Sequence, residues 1–183
     1  MNETITIASY YLFTIFLIGF TFVYCLTLIA NIWDKVPFVP TSGRVVKHII
    51  SLADLKKGER VYDLGCGDGR FLFAAQEKTS IEAVGFENAL LPYLLANLRK
   101  CIRKAKIRIN MKNFFRADLS KANVIYCYLG PEVMQRVGEK IKKECCKGTR
   151  IYSNSFSIKT LKPQKIWPRD KKNRLPKIYY YKI

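Results

Sequence analysis

The chain has 183 residues, which is enough for one ordinary domain and a short appendage and too few for two full domains. Its 32 Lys and Arg against 14 Asp and Glu leave a formal charge of +18. The six cysteines, Cys25, Cys66, Cys101, Cys127, Cys145 and Cys146, form no CxxC pair, which excludes a cysteine zinc cluster, and no metal is expected. They read as reduced thiols used as small hydrophobes, in keeping with a cytosolic compartment. A redox role stays open only for the adjacent pair Cys145 and Cys146.

The charge is divided unevenly. The first 34 residues contain two acids, Glu3 and Asp34, and no base, so the remainder carries +20. From Thr4 to Trp33 there are 30 consecutive uncharged residues, mostly Ile, Leu, Phe, Val, Tyr and Thr. A bilayer core needs about 20 apolar residues as helix, so this run predicts a transmembrane helix, in contact with lipid over residues 5–33. Tyr10, Tyr11 and Trp33 suit the aromatic belts of such a segment. The run is too long for a signal-peptide core and no base precedes it, so an uncleaved anchor is expected. Basic residues flank only its C-terminal side. The positive-inside rule therefore places the large domain in the cytoplasm, as a single-pass membrane protein. The basic residues of that domain suit an anionic lipid surface. They are scattered in pairs such as Lys56-Lys57 and Lys142-Lys143, which makes nucleic acid the less favoured partner.

Pro37 and Pro40 stop the first helix. Val45, Val46, Ile49, Ile50 and Leu52 follow helical spacing and predict an amphipathic helix over 42–55. An alternation of short apolar runs and helical patterns follows. Strands are expected at 60–64, 81–87, 106–110, 123–129 and 150–156, and helices at 69–78, 89–103 and 131–146. Two short extended pieces, 165–167 and 177–182, have no helix between them. The predicted fold class is α/β: a Rossmann-like, mainly parallel sheet with an antiparallel C-terminal hairpin, preceded by one transmembrane helix. The expected division is an anchor over 1–34, a linker and helix over 35–58, and the main domain over 59–183.

The sharpest motif is Val61-Tyr62-Asp63-Leu64-Gly65-Cys66-Gly67-Asp68-Gly69-Arg70-Phe71. A strand runs into three alternate glycines and then a helix. Glycines there let the chain turn tightly and bring its backbone close to a ligand. Glu87 ends the next strand, 20 residues after Gly67, where a carboxylate can accept hydrogen bonds from a ribose diol. Asp63 and Asp68 disfavour a diphosphate and favour a cofactor with a positive centre.

This stretch closely resembles motif I of the class I S-adenosylmethionine-dependent methyltransferases, and Glu87 matches their second acidic position. The resemblance implies S-adenosyl-L-methionine as cofactor. It places Asp63, Gly65, Cys66, Gly67 and Gly69 around the methionine and ribose portion, with Glu87 and Asn88 at the ribose hydroxyls. It also implies a polar contact to adenine after the third strand. Asn113 and Phe114 are preferred there, although the family often has Asp; Asp118 is the rival and reads equally well as a turn cap. The apolar helix, the PFVPTSGRVV segment and the short C-terminal region narrow the resemblance. Together they are similar to the membrane-anchored lysine methyltransferases related to the mitochondrial enzymes acting on the c-ring protein of ATP synthase and the adenine nucleotide translocase. The likeness covers about residues 5–160 and is loose outside motif I. By this analogy Thr41 lies near the cofactor, the alternative being a plain linker.

Many amide and adenine methylases carry Asn-Pro-Pro-aromatic after the fourth strand. Tyr128-Leu129-Gly130-Pro131 stands here instead, which suits a lysine acceptor. Tyr128 and Thr41 are the candidate catalytic residues, with packing as the other role for Tyr128. Tyr126, Tyr128 and Phe156 are candidates for an apolar pocket that desolvates the amine. No general base is assigned, and His48 reads as a surface or core residue. A protein substrate at the membrane is expected. The alternatives are an RNA methyltransferase and a membrane-tethered scaffold that binds the cofactor without turnover.

Overall fold

The computed structural model describes residues 2–34 and 39–183. Residues 35–38, with the expected stop at Pro37, and the side chain of Trp33 lie outside the described residues. Helix α1 runs without interruption from Asn2 to Asp34. Its stretch Ile5–Leu26 has mean hydropathy 1.8 and is unburied, so by length and composition it can cross a membrane. The hydroxyls of Ser9, Thr14 and Thr21 donate to backbone carbonyls three or four residues earlier at 2.8 Å. Such back-bonding satisfies polar groups where water is absent.

Helix α2 covers Gly43–Ala53, two residues shorter than expected at its C-terminal end. Ser42 caps it by accepting from the Val45 N–H, and Asp54 ends it in the left-handed region. Val45, Val46, Ile49, Ile50 and Ala53 turn inward and join the main core. The alternation then unfolds as β1 (Arg60–Leu64), α3 (Arg70–Lys78), β2 (Glu82–Glu87), α4 (Leu90–Ile102), β3 (Arg108–Met111), a 3-10 turn (Phe114–Arg116), β4 (Val124–Cys127), α5 (Pro131–Glu144), β5 (Arg150–Asn154), β6 (Lys165–Trp167) and β7 (Ile178–Lys182).

The strands form one sheet in the order β3-β2-β1-β4-β5-β7-β6. Strands β1 to β5 pair in parallel, and β7 is antiparallel to both β5 and β6. The expected Rossmann-like α/β architecture is thus observed. The C-terminal hairpin folds back so that β7, the last strand, lies inside the sheet and β6 forms the edge. The strand order reverses between β1 and β4, and in open α/β sheets ligands sit beyond the strand ends at that point.

Alternate strand residues serve the two faces. Val124 and Tyr126 join the layer of α2, α3 and α4, whereas Ile125 and Cys127 join the layer of α5. Arg150 ties together segments about 90 positions apart in sequence. Its guanidinium bonds both Glu59 carboxylate oxygens at 2.7 Å and the Ala53 carbonyl at 2.6 Å, which fixes the end of α2 to the start of β5. Gly138 on α5 lies where the 158–160 segment crosses the helix. A Cβ there would come within 2.0 Å of Thr160 Oγ1 and 2.5 Å of Ile158 Cγ2, and Ile158 is only 1% exposed. Helix propensity alone would favour alanine by about 1 kcal/mol, but overpacking costs about 1–3 kcal/mol. Gly138→Ala is therefore expected to lower the unfolding midpoint in a thermal melt. A raised midpoint would show that the crossing segment yields freely.

Candidate active site

Three left-handed glycines shape the turn between β1 and α3: Gly65 at φ 76°, Gly67 at φ 55° and Gly69 at φ 75°. Residues with a Cβ rarely adopt this region. Space is also tight at two of them: a Cβ on Gly65 would stand 2.9 Å from the Leu129 side chain, and one on Gly69 3.0 Å from the Phe73 ring. The turn is tied to the end of β2. The N–H groups of Gly65 and Cys66 donate to the Phe86 carbonyl at 3.0 Å, and the Gly67 N–H donates to Glu87 Oε2 at 2.7 Å. Glu87 Oε1 accepts from the N–H groups of Asn88 and Ala89 at 2.8 Å. Glu87 thus joins the glycine turn to the entrance of α4.

Two acids flank the turn, and the structure separates their roles. Asp68 is bound by Arg70 and Arg99, each at 2.5 Å. Burial alone would raise its pKa, but the two guanidinium groups outweigh this and hold it below the ordinary value. Its charge is therefore balanced inside the protein. Asp63 is 2% exposed. Burial, with the added negative charge of Glu87 and Asp68, pushes its carboxyl well above the ordinary range. A buried acid among acids is completed by a cationic ligand. The concave glycine turn, the Glu87 carboxylate and Asp63 together fit S-adenosylmethionine, which carries a sulfonium, an amino group and a ribose diol.

The other expected residues are distributed as follows. Cys66 is buried with its Sγ over Gly85, where a Cβ would come within 2.6 Å. Burial and nearby Asp63 raise its thiol pKa well above normal, so the side chain packs rather than reacts. Asn113 accepts from the Phe115 N–H at 2.9 Å and caps the 3-10 turn, while Phe114 is 8% exposed beneath it. Asp118 is exposed and accepts from the Ser120 N–H, as expected of a turn cap. Burial raises Cys145 to about 12, and its thiol donates to the Leu119 carbonyl, so a redox pair with exposed Cys146 has no chemical support.

Beside the turn, past the ends of β4 and β5, opens a cleft of about 660 Å³. Thr41, Tyr128, Asn154 and Ser155 line it, and residues 169–177 supply Arg169, Lys171, Arg174 and Lys177. Arg70 connects cleft and turn by donating to the Thr41 carbonyl at 2.6 Å. Tyr128 stacks on Phe156 at 6.3 Å between ring centroids. Tyr126, expected as an aromatic wall, is instead 3% exposed and stacked on Phe71 at 4.1 Å. Its hydroxyl accepts from Asn154 Nδ2 at 3.2 Å and meets Thr41 Oγ1 at 3.5 Å, so it supports the cleft from below. Burial keeps this phenol protonated far into the alkaline range. His48 is half-buried on α2 and is not among the residues that line the cleft.

Several residues of this region were not identified from sequence. Gly85 had a visible signal, a glycine inside a strand, which often marks close backbone approach. Arg99, Asn154, Ser155 and the basic loop had none, because only the folded chain brings them here.

The ANTKMT methyltransferase domain family matches residues 63–165. A protein-lysine N-methyltransferase of Saccharolobus islandicus (strain REY15A) is 34% identical over 151 residues, which is 81% of this chain and 94% of that protein. The chain belongs to the ANTKMT methyltransferase family. It is thereby an S-adenosylmethionine-dependent enzyme of the protein-lysine methyltransferase group. The adenine nucleotide translocase lysine N-methyltransferase of Mus musculus is 31% identical over 133 residues, 70% of this chain and 57% of that protein. Among solved structures, an RNA methyltransferase from Salinibacter ruber, in complex with S-adenosyl-L-homocysteine, aligns with TM-score 0.73 at 27% identity. The alignment covers 79% of this chain and 94% of that one.

Cofactor binding is expected to depend on pH through Asp63. Below its raised pKa the carboxyl holds a proton that a cationic ligand must displace; above that pKa it does not. Affinity is expected to weaken about tenfold per pH unit below that point. Titration calorimetry at successively lower pH should show this weakening with proton release on binding. Asp63→Asn should bind weakly and without pH dependence. Equal wild-type affinity across the range would overturn the assignment.

Proposed function

We propose that this enzyme is anchored in a membrane by α1 and methylates a lysine of a membrane-associated protein. The observation that carries the reading is the position of the cleft along the chain. Pro40, Thr41 and Ser42 line it, and Thr41 stands only seven positions beyond the end of α1 at Asp34. Seven residues span at most about 25 Å, so the cleft stays close to the point where α1 ends. The absence of acids and bases from Thr4 to Trp33, and the +20 charge that follows, support a single crossing with the catalytic part in the cytoplasm. In this reading 1–34 is the anchor, 35–58 the linker and first domain helix, and 59–183 the methyltransferase domain. Two relatives support the substrate class by their names. They are the mouse adenine nucleotide translocase methylase and an ATP synthase c-subunit lysine N-methyltransferase of Rattus norvegicus, 32% identical over 126 residues.

When bound, S-adenosylmethionine supplies a methyl group already activated on a sulfonium. The chain's own residues then bind and position. Asp63 and the backbone of Gly65, Cys66, Gly67 and Gly69 hold the amino acid and ribose region. Glu87 and Asn88 receive the ribose hydroxyls, and Asn113 with Phe114 the adenine. Thr41 and Tyr128 stand on the acceptor side, Tyr128 stiffened by Phe156. An amine must lose its proton before it can attack. The cations Arg169, Lys171, Arg174 and Lys177 around the cleft favour the neutral form, and the aromatic wall removes water from it. Positioning of this kind suffices for catalysis without a general base.

The test uses detergent-purified full-length protein, labelled S-adenosylmethionine, and separated host membranes, soluble protein and RNA. Label is expected in a membrane polypeptide as methyl-lysine. Tyr128→Ala should lower kcat/KM by about 10–100-fold through misplacement of the amine, and Asp63→Ala with Glu87→Ala should abolish labelling. The +20 region and the Salinibacter ruber neighbour support RNA as the second acceptor class. Label in RNA that falls steeply with salt would replace the lysine reading.

A further inference from the structure

Helix α4 has one face that the domain leaves uncovered. Leu94, Leu95, Leu98 and Ile102 are 47%, 38%, 57% and 72% exposed, although α1 already lies against α4. Their spacing places them on a single stripe. The opposite face is conventional: Pro92 and Ala96 are buried against the sheet. A soluble domain rarely leaves four large aliphatic groups in one exposed row.

The charge around the stripe is of one sign. From Asn88 to Ala117 the chain has no acid and eight bases, among them Lys100, Lys104, Lys106 and Arg108. Lys104, Lys106 and Arg108 are exposed on the loop and edge strand that follow α4. An aliphatic stripe bordered by cations is the pattern of a helix that lies in the interface of an anionic bilayer. The remaining described surface has no second row of this kind. Helix α5, on the other side of the sheet, turns its apolar residues Val133, Met134, Val137 and Ile141 wholly inward.

We infer that α4 is a second membrane contact, its Leu94, Leu95, Leu98 and Ile102 stripe resting in the headgroup–acyl boundary of the bilayer that α1 enters. The inference rests on the reading of α1 as a membrane span. The contact of α1 with α4 is its geometric basis: a bilayer that takes in α1 comes up against the helix that carries the stripe. Two contacts also do what one cannot. A single spanning helix leaves the domain free to rotate about the helix axis, whereas a second contact holds one face of the sheet toward the lipid.

The experiment uses the full chain in vesicles of phosphatidylcholine and phosphatidylserine, with or without bromine on the upper acyl chains. A tryptophan replaces Leu98 or Ile102, both exposed, or Glu139 on α5 as the control, and each signal is read over wild type. The added emission at 98 and 102 is expected to fall by about half in brominated vesicles, as for groups buried about 5–10 Å into the interface, and the emission at 139 to stay unchanged. Flotation with the vesicles but no quenching at 98 and 102 overturns the second contact and leaves the anchor standing, the stripe then being covered by protein. Failure to float overturns the anchor and the inference with it.

Discussion

The glycine turn between β1 and α3 is the constraint on which the site depends. Three alternate left-handed residues turn the chain, two of them where a Cβ would press on a neighbouring side chain, and the end of β2 holds them there. The strand neighbour must also be small. A Cβ on Gly85 would meet Cys66 at 2.6 Å and Leu72 at 2.8 Å, so β2 contributes to the turn by what it lacks as well as by Glu87. Because β1 and β2 pair in register from Arg60 with Glu82 to Leu64 with Phe86, the turn and the acid that supports it are delivered together. The sheet is in this sense the device that places one short loop.

Charge near the turn is sorted by burial. Asp68 and Asp63 lie five residues apart and are both buried, yet only Asp68 is met by arginines. Arg70 comes from the helix after the turn, and Arg99 from α4. Asp68 thereby locks two helices to the loop, while Asp63 stays buried without an arginine beside it. The same Arg70 reaches the Thr41 carbonyl, so the residue that neutralises Asp68 also holds the start of the cleft.

The cleft has three sources far apart in sequence: the segment before α2, the ends of β4 and β5, and the loop between β6 and β7. Insertion of β7 beside β5 brings that loop into place, since β7 starts at Ile178, next to Asn154. Arg44 on α2 donates to the Asn173 carbonyl at 3.2 Å and draws the same loop against the first domain helix. A cationic rim is thus attached to the enzyme by its C-terminal hairpin, which lies outside the sequence motif that defines the family.

The sequence alone was sufficient for the parts whose physics is local. Hydrophobic periodicity and the Gly, Pro and Asp punctuation located all seven strands, the domain helices and the apolar N-terminal helix, with ends displaced by a few residues. The three glycines and the two strand-end acids, Asp63 and Glu87, were legible because a turn of that shape tolerates few alternatives. Only the tertiary structure decided which acid is already paired with arginines inside the protein, because Arg99 approaches Asp68 across 31 positions of sequence. It likewise moved Tyr126 from the wall of the cleft to its foundation, since alternation along β4 fixes which face a residue takes but not what covers that face. The scattered Lys and Arg of residues 169–177 became a rim in the same way. Periodicity follows from the chain's own geometry, whereas neighbours distant in sequence are set by packing.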